Sequence, residues 1–536
     1  MGEIEKVRHT KIKLADPLFP ESMRNMTQST WRRTKIVCTL GPATDRPGLI
    51  EQLIEAGMDV ARINASHGDH ADHARRIRQV RNAAHALGRP VALLMDLPGP
   101  KFRLDDLPEG FCRLDEGMTV TLVGAGDDAR AAGAAGNCLL LPVRERTLLQ
   151  TLRAGELVFL ADGSVELGVK IIAENPSRAE CEVLVGGTVR SGSGINIPDS
   201  AASPLVPTEE DRRHLAFAVS QEVEWVGVSF VQSADDLVRV RACFPSGAGV
   251  MPLLIAKIEK RRALVNLEAI MEASDGVMVA RGDLGVETNL AEIPIVQKRI
   301  ISVANAHGRP VITATQMLES MVEREYPTRA EATDIANAVL DGTDAVMLSA
   351  ETAIGEFPVP AVQFLQRVLT ATESEYGDRM ARDRLNSMEM VTAPSEAGDA
   401  LSFAACLLAA RIGAKAIIAS VHSAEAALSI ARFRPQAPLV MIADSARLYR
   451  SLALVRGISP LLASEPSAGR DTQACLAQAR EWLFANGLAQ ANDQAVLLSA
   501  SGAASDKVDT LQTVRLAGYW GLEKRAGTEN ENDGFV

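Results

Sequence analysis

Eight short apolar runs, seven of them with a polar residue at or just past the end and most separated from the next by a segment of helical spacing, constrain this chain more than any other feature. In order they read KIVCTL, DVARIN, VALLMD, WVGVSF, LLIAKI, GVMVA, PVITAT and AVMLS. Runs of this length, rich in Val and Ile and bounded by charge or Gly, suit strands buried on both faces of a parallel sheet. The intervening segments carry apolar residues at helical spacing, as in Leu264, Leu267, Ile270 and Met271. Parallel strands need crossovers, so eight such units predict a closed (β/α)8 TIM barrel.

Between about Phe102 and Pro204 the texture changes to alternating runs such as TVTLVG, LVFLAD and CEVLVGG, punctuated by Gly and Asp, which predicts an inserted all-β lid domain. Past Tyr376 a polar connector, Asp378 to Pro394, leads to KAIIASV, PLVMIA and QAVLLSA with helices between them, which predicts an open α/β domain with a parallel sheet. The domains expected are an N-terminal arm (1–31), a discontinuous barrel (32–101 and 205–376), the lid (102–204), the C-terminal α/β domain (385–521) and a tail (522–536).

In a parallel barrel the C-terminal strand ends carry the chemistry. Here they supply Asn64 with Ser66 and His67, Asp96, Ser229, Lys257 with Glu259, Asp283, Thr315, and Ser349 with Glu351. Glu259 and Asp283 on one rim would make a hard oxygen site for Mg²⁺, and Lys257 beside them implies an anionic substrate. Gly282 and Gly285 permit close backbone approach, and the turn at Arg281-Gly282-Asp283 presents N–H groups to a carboxylate or phosphate.

A formal net charge of −12 argues against nucleic acid or an anionic membrane as the main partner, so any anion site must be local. The seven Cys lack metal or disulfide spacing and read as reduced, mostly buried thiols. Without an apolar signal core or a run long enough to span a bilayer, the chain is expected in the cytoplasm.

With these residues in view the chain resembles the pyruvate kinases from Arg32 to about Tyr519. The resemblance rests on TKIVCTLGPAT (34–44), AGMDVARINASHGDH (56–70), GVMVARGDLGVE (276–287), ITATQMLESM (312–321) and PTRAEATDIANAVLDGTDAVMLSAET (327–352). It implies phosphoryl transfer from phosphoenolpyruvate to ADP in glycolysis, giving ATP and an enolpyruvate that is then protonated to pyruvate, and a homotetramer. By resemblance Glu259 and Asp283 hold Mg²⁺ (or Mn²⁺), Lys257 neutralises the phosphoryl group in flight, and Arg62 and Arg103 grip phosphate. Gly282 N–H meets the substrate carboxylate, Ser229 and Asp283 complete the substrate contacts, and Thr315 lies where enolpyruvate is protonated. Pro42, Asn64, His67 and Arg103 match the nucleotide-contacting stretch.

The resemblance also carries departures. The lid lysine of the family is Ser193 here, with Arg190 nearby; the paired lid aspartates are Ala161 and Asp162; and the arginine after the Ser-Phe pair of the fourth strand is Gln232. These leave a weakly catalytic phosphoenolpyruvate- or nucleotide-binding sensor as the alternative. The phosphate-gripping effector loop is replaced by Val421-His422-Ser423-Ala424-Glu425-Ala426, and a carboxylate at Glu425 predicts weak response to fructose 1,6-bisphosphate. Most members hold K⁺ with groups matching Asn64, Ser66, Asp96 and the carbonyl of Leu97. Here Leu97, Pro98 and Lys101 replace the Thr, Lys and Glu that accompany that ion, so Lys101 is expected to substitute for K⁺.

Overall fold

The computed structural model describes residues 31–125, 139–161, 163–174, 177–198, 205–245, 250–391, 397–464, 471–499 and 509–517. Most of the predicted arm and tail, and Asp162, lie outside these residues.

The barrel follows from two-residue alternation along its strands. In the first, Lys35–Leu40, Val37 faces the axis while Ile36, Cys38 and Leu40 join the layer beneath the helices. The other seven are Val60–Asn64, Ala92–Asp96, Trp225–Val228, Leu253–Ile258, Gly276–Ala280, Val311–Ala314 and Ala345–Leu348. Consecutive strands pair in parallel, and the first pairs with the last, Lys35 opposite Ala345, closing the cylinder. One inward layer is apolar, with Val37, Val60, Leu94, Trp225, Ile255 and Met278 in one cluster. Two residues further along the same faces stand Thr39, Arg62, Asp96 and Lys257, so one side-chain parity makes both the plug and the polar floor above it.

The fourth strand matters to the floor through a missing side chain. A Cβ on Gly227 would lie 3.3 Å from Asp96 Oδ1, so glycine there leaves room for the carboxylate.

The lid forms a seven-stranded sheet whose edge strand, Phe102–Arg103, pairs with Gly194–Asn196, and a two-stranded ribbon of Phe111–Leu114 with Gly187–Arg190. It is not wholly β: Thr147–Thr151 is a helical turn, because Leu148, Leu149 and Leu152 must all reach the lid core. Asp211 clasps both connections to the barrel. Its carboxylate accepts the Gly99 N–H (3.0 Å) on the way out and caps Thr208 at the return (2.8 Å).

Three further expectations are corrected. The segment whose spacing predicts one helix through Leu264, Leu267, Ile270 and Met271 is two, Arg261–Val265 and Leu267–Ala273, because Asn266 leaves helical geometry and donates its side-chain amide to the Gln232 carbonyl (2.8 Å). The polar stretch from Asp378 is not a connector at its start, since a helix runs from Pro358 through to Val391. Its residues are polar but helix-forming, and composition alone does not separate the two cases. The C-terminal sheet has five strands, and its edge strand Thr510–Arg515 runs antiparallel to Gln494–Ser499, a common edge for an otherwise parallel sheet. Among the described residues no helix is long and apolar enough to cross a membrane, and Cys38, Cys181, Cys406 and Cys475 are buried free thiols.

Candidate active site

Lys257 stands at the centre of the rim. Its ammonium lies 2.8 Å from Glu259 Oε1 and 3.1 Å from Asp96 Oδ1, and donates to Ser229 Oγ at 2.7 Å. Burial would discharge it, but the carboxylates of Asp96, Glu259 and Asp283 outweigh burial and raise its pKa, so it is an ammonium at every physiological pH. Arg62 completes the group. Its Nε and one terminal nitrogen both donate to Asp96 Oδ2 (2.8 and 2.7 Å), and the other terminal nitrogen reaches Thr39 Oγ1 (2.9 Å). Asp96 is only 1% exposed. Burial opposes its ionisation, yet Lys257 and Arg62 hold its pKa below the usual carboxylate range.

Glu259 is oriented by the Phe230 N–H, which donates to Oε2 at 2.7 Å from a residue in the left-handed region (φ 57°). Burial and the charge of Asp283 push the Glu259 pKa up, against the pull of Lys257. Oε1 is buried and receives no hydrogen bond of good geometry, only the charge of Lys257. A buried carboxylate oxygen left without a donor, with a second carboxylate near enough to raise its pKa, fits a hard divalent cation. Two carboxylates also suit Mg²⁺ or Mn²⁺, which leave further coordination positions to water and substrate oxygens. Among the described residues no three acidic, His or Cys side chains group so that they could hold a metal ion by themselves.

The next strand end is closed on itself. Gly282 N–H, the expected carboxylate contact, donates to Thr315 Oγ1 (3.0 Å), and that hydroxyl in turn donates to the Ala314 carbonyl (2.7 Å). Lys101 reaches Asp283 Oδ1 at 3.3 Å, so its charge stands by the candidate metal carboxylate, while Asp96 is served by Arg62 and Lys257. Asn64 turns back to accept the Ser66 N–H (3.2 Å), Ser66 and His67 are exposed, and Leu97 is buried. Pro42 is exposed at the head of a short 3-10 turn.

Arg103 belongs to the lid. It donates to the Gly192 carbonyl (3.0 Å) rather than to the rim. Ser193 accepts its own turn's Arg190 N–H (2.9 Å). Glu351, at the end of the eighth strand, is fully buried and accepts Ser349 and Leu318 N–H groups (2.7 and 3.0 Å), so it fixes backbone. Two residues to which the sequence assigned no role belong to the group around Lys257: Thr39, which accepts from Arg62, and Phe230, whose N–H orients Glu259. Alternation along the first strand is the signal that could have found Thr39, whereas Phe230 acts through its backbone, which no residue type reveals.

The family model described as pyruvate kinase, barrel domain, matches residues 31–362, and that described as pyruvate kinase, alpha/beta domain, matches 399–514. The chain is 38% identical over 453 residues to pyruvate kinase 2 of Synechocystis, covering 84% of this chain and 74% of that one. It is 41% identical to the pyruvate kinase of Mycobacterium tuberculosis, covering 80% and 86% of the two chains. A solved pyruvate kinase from Cryptosporidium parvum superposes with a TM-score of 0.82 at 31% identity, covering 92% of this chain and 97% of that one. A floor of buried charge on a closed eight-stranded barrel, both family models in order, and relatives matched over most of their length place this chain in the pyruvate kinase family.

Proposed function

We propose that this chain transfers the phosphoryl group of phosphoenolpyruvate to ADP, giving ATP and the enolate of pyruvate, which is then protonated at C3. The observation that carries the reading is the Lys257 ammonium held between two buried carboxylates with Arg62 beside it. Phosphoryl transfer asks mainly for positioning and charge stabilisation, and a preformed cationic floor supplies both. Mg²⁺ or Mn²⁺, held by Glu259 and Asp283, would neutralise substrate carboxylate and phosphate oxygens. Lys257 and Arg62 stabilise the charge of the phosphoryl group as its bond to the enol oxygen breaks and its bond to the ADP oxygen forms. Gly282 N–H and Ser229 orient the substrate from either side, and Thr315 serves the protonation. Pro42, Asn64, His67 and the lid's Arg103 face the nucleotide.

Lys101 supports a K⁺-independent form of the reaction. An ammonium tethered beside Asp283 would supply fixed positive charge near the substrate phosphate and carboxylate, the role a free monovalent ion otherwise plays. We assign 32–101 with 205–376 to the barrel, 102–204 to the lid and 385–521 to the C-terminal domain, in a cytoplasmic homotetramer. Ser423 caps the helix Ala424–Ala431 and Glu425 stands in its first turn, which supports poor activation by fructose 1,6-bisphosphate.

The test is pyruvate formation from phosphoenolpyruvate, followed with and without ADP and with and without Mg²⁺. Turnover should require both, and binding of phosphoenolpyruvate without turnover would favour a sensor instead.

A further inference from the structure

Arg281 lies directly before Gly282 and Asp283, yet its side chain turns away from the rim and runs beneath the turn that follows the seventh strand. It is 9% exposed. Its Nε donates to the Ala314 carbonyl (3.2 Å), one terminal nitrogen donates to the Thr315 carbonyl and meets Met317 Sδ, and the other is paired with Asp334 Oδ2 at 2.6 Å. Gln297 Oε1 accepts from that same nitrogen at 3.4 Å. The guanidinium fork is thus committed to one turn, to Gln297 and to one carboxylate on the helix Arg329–Asp341.

The turn it holds is strained. Thr315 and Gln316 both have positive φ, 68° and 55°, and neither is glycine. Such a conformation is costly, most of all for a β-branched side chain, and persists only where the surroundings over-determine it. The left-handed conformation at Thr315 accompanies a hydroxyl that meets the Gly282 N–H, at the point where two strand ends converge.

We infer that Arg281 is a positioning residue for the proton-transfer half of the reaction, with Asp334 setting the orientation of its fork. The inference rests on the reading of Thr315 given above. In that step the C3 carbon of the enolate takes a proton from the Thr315 hydroxyl or a water bound to it. The carbon–carbon π pair becomes the new C–H bond, the enolate oxygen becomes the ketone oxygen, and solvent returns a proton to the donor. In the resting structure the hydroxyl proton is spent on the Ala314 carbonyl, the same oxygen that Arg281 Nε holds. Arg281 therefore competes for that acceptor and leaves the Thr315 proton easier to redirect. Lysine cannot replace it, since one ammonium has neither the planar fork nor the reach to serve both carbonyls and Asp334 together.

The partial reactions separate this role from a general one. Exchange of the pyruvate methyl hydrogens with D₂O, run with Mg²⁺ and with inorganic phosphate in place of the phosphoryl group, reports proton transfer alone. ATP formed in a single turnover from phosphoenolpyruvate and ADP reports phosphoryl transfer. Arg281→Lys should slow exchange by about 10²-fold, the scale of a misplacement near 1 Å, and phosphoryl transfer by far less. Asp334→Asn, which preserves shape and helix, should give the same split at about tenfold and serves if Arg281→Lys does not fold.

Thr315→Ala distinguishes the two levels of the argument. If it slows exchange while Arg281→Lys and Asp334→Asn leave exchange at the wild-type rate, Arg281 does not position it. Equal loss in both half-reactions for the Arg281 and Asp334 variants would likewise overturn the inference, making the pair a general scaffold. If Thr315→Ala itself leaves exchange intact, the reading of Thr315 falls and the role of Arg281 with it.

Discussion

The Ser229 hydroxyl accepts a hydrogen bond from Lys257 Nζ at 2.7 Å while donating its own proton to the Leu97 carbonyl, also at 2.7 Å. One hydroxyl therefore joins the central ammonium to the segment that leads out to the lid. Gly99 packs against the same residue so closely that a Cβ there would sit 2.8 Å from Ser229 Cβ. The lid connection, Ser229 and Lys257 form one mechanical unit.

Ser229→Ala should remove one of the contacts that aim Lys257. Loss of a hydrogen bond to a charged group predicts a fall in kcat of about tenfold, with KM for phosphoenolpyruvate changed much less, because the ammonium still has its carboxylates. Steady-state kinetics of the purified variant check this, and a rise in KM at unchanged kcat would assign Ser229 to substrate binding alone.

Glu259→Gln keeps the side chain's shape and its Phe230 N–H contact while removing the charge proposed to hold the divalent ion. Turnover should fall by about 10²–10³-fold, as for other single electrostatic groups, and the half-saturating Mg²⁺ concentration should rise. Asp283→Asn should behave alike. Titration of Mn²⁺ binding by electron paramagnetic resonance gives a readout independent of turnover.

Lys101→Glu should convert a K⁺-independent enzyme into a K⁺-stimulated one. The parent chain is expected to work at near-full rate in tetramethylammonium or Na⁺ salts, since the charge at 3.3 Å from Asp283 is tethered. A parent enzyme silent in those salts and restored by K⁺ would refute the charge-substitution argument without touching the family assignment.

Acid sensitivity should centre on His73, which is 1% exposed with both ring nitrogens lacking a hydrogen bond. Burial, with the neighbouring His214, Arg76 and His70, pushes its pKa down to about 4, and only Asp69 pulls the other way. The unfolded chain has an ordinary histidine pKa, so between roughly 6.5 and 4 the unfolded state binds more protons and stability falls as pH falls, by up to about 1.4 kcal/mol per pH unit. Above the unfolded value the contribution is complete. Melting temperatures of the parent and His73→Leu, compared from pH 7 to 4.5, should converge or cross as the pH drops, and a constant gap would exclude His73 as the source.

Much of the candidate site's placement can be read from the chain because barrel strands obey a period of two. Val37 and Thr39, Val60 and Arg62, Leu94 and Asp96, Ile255 and Lys257 are pairs in which an apolar layer and the polar floor above it follow from spacing alone. The long motifs carried the family. What the sequence determined, then, was which strands exist, which way their side chains point, and which residues reach the rim.

Tertiary structure decided how those residues are paired. No spacing rule says that Arg62 should lie on Asp96, that Lys101 should reach Asp283 rather than Asp96, or that Glu351 should turn inward to hold backbone. These contacts join residues 33 to 182 positions apart, and each is selected by which charge can be desolvated beside which partner once the barrel closes. The same holds for Phe230 and Thr315. Their left-handed backbone is set by Glu259 and Arg281 from neighbouring strands, and local propensity would have forbidden it.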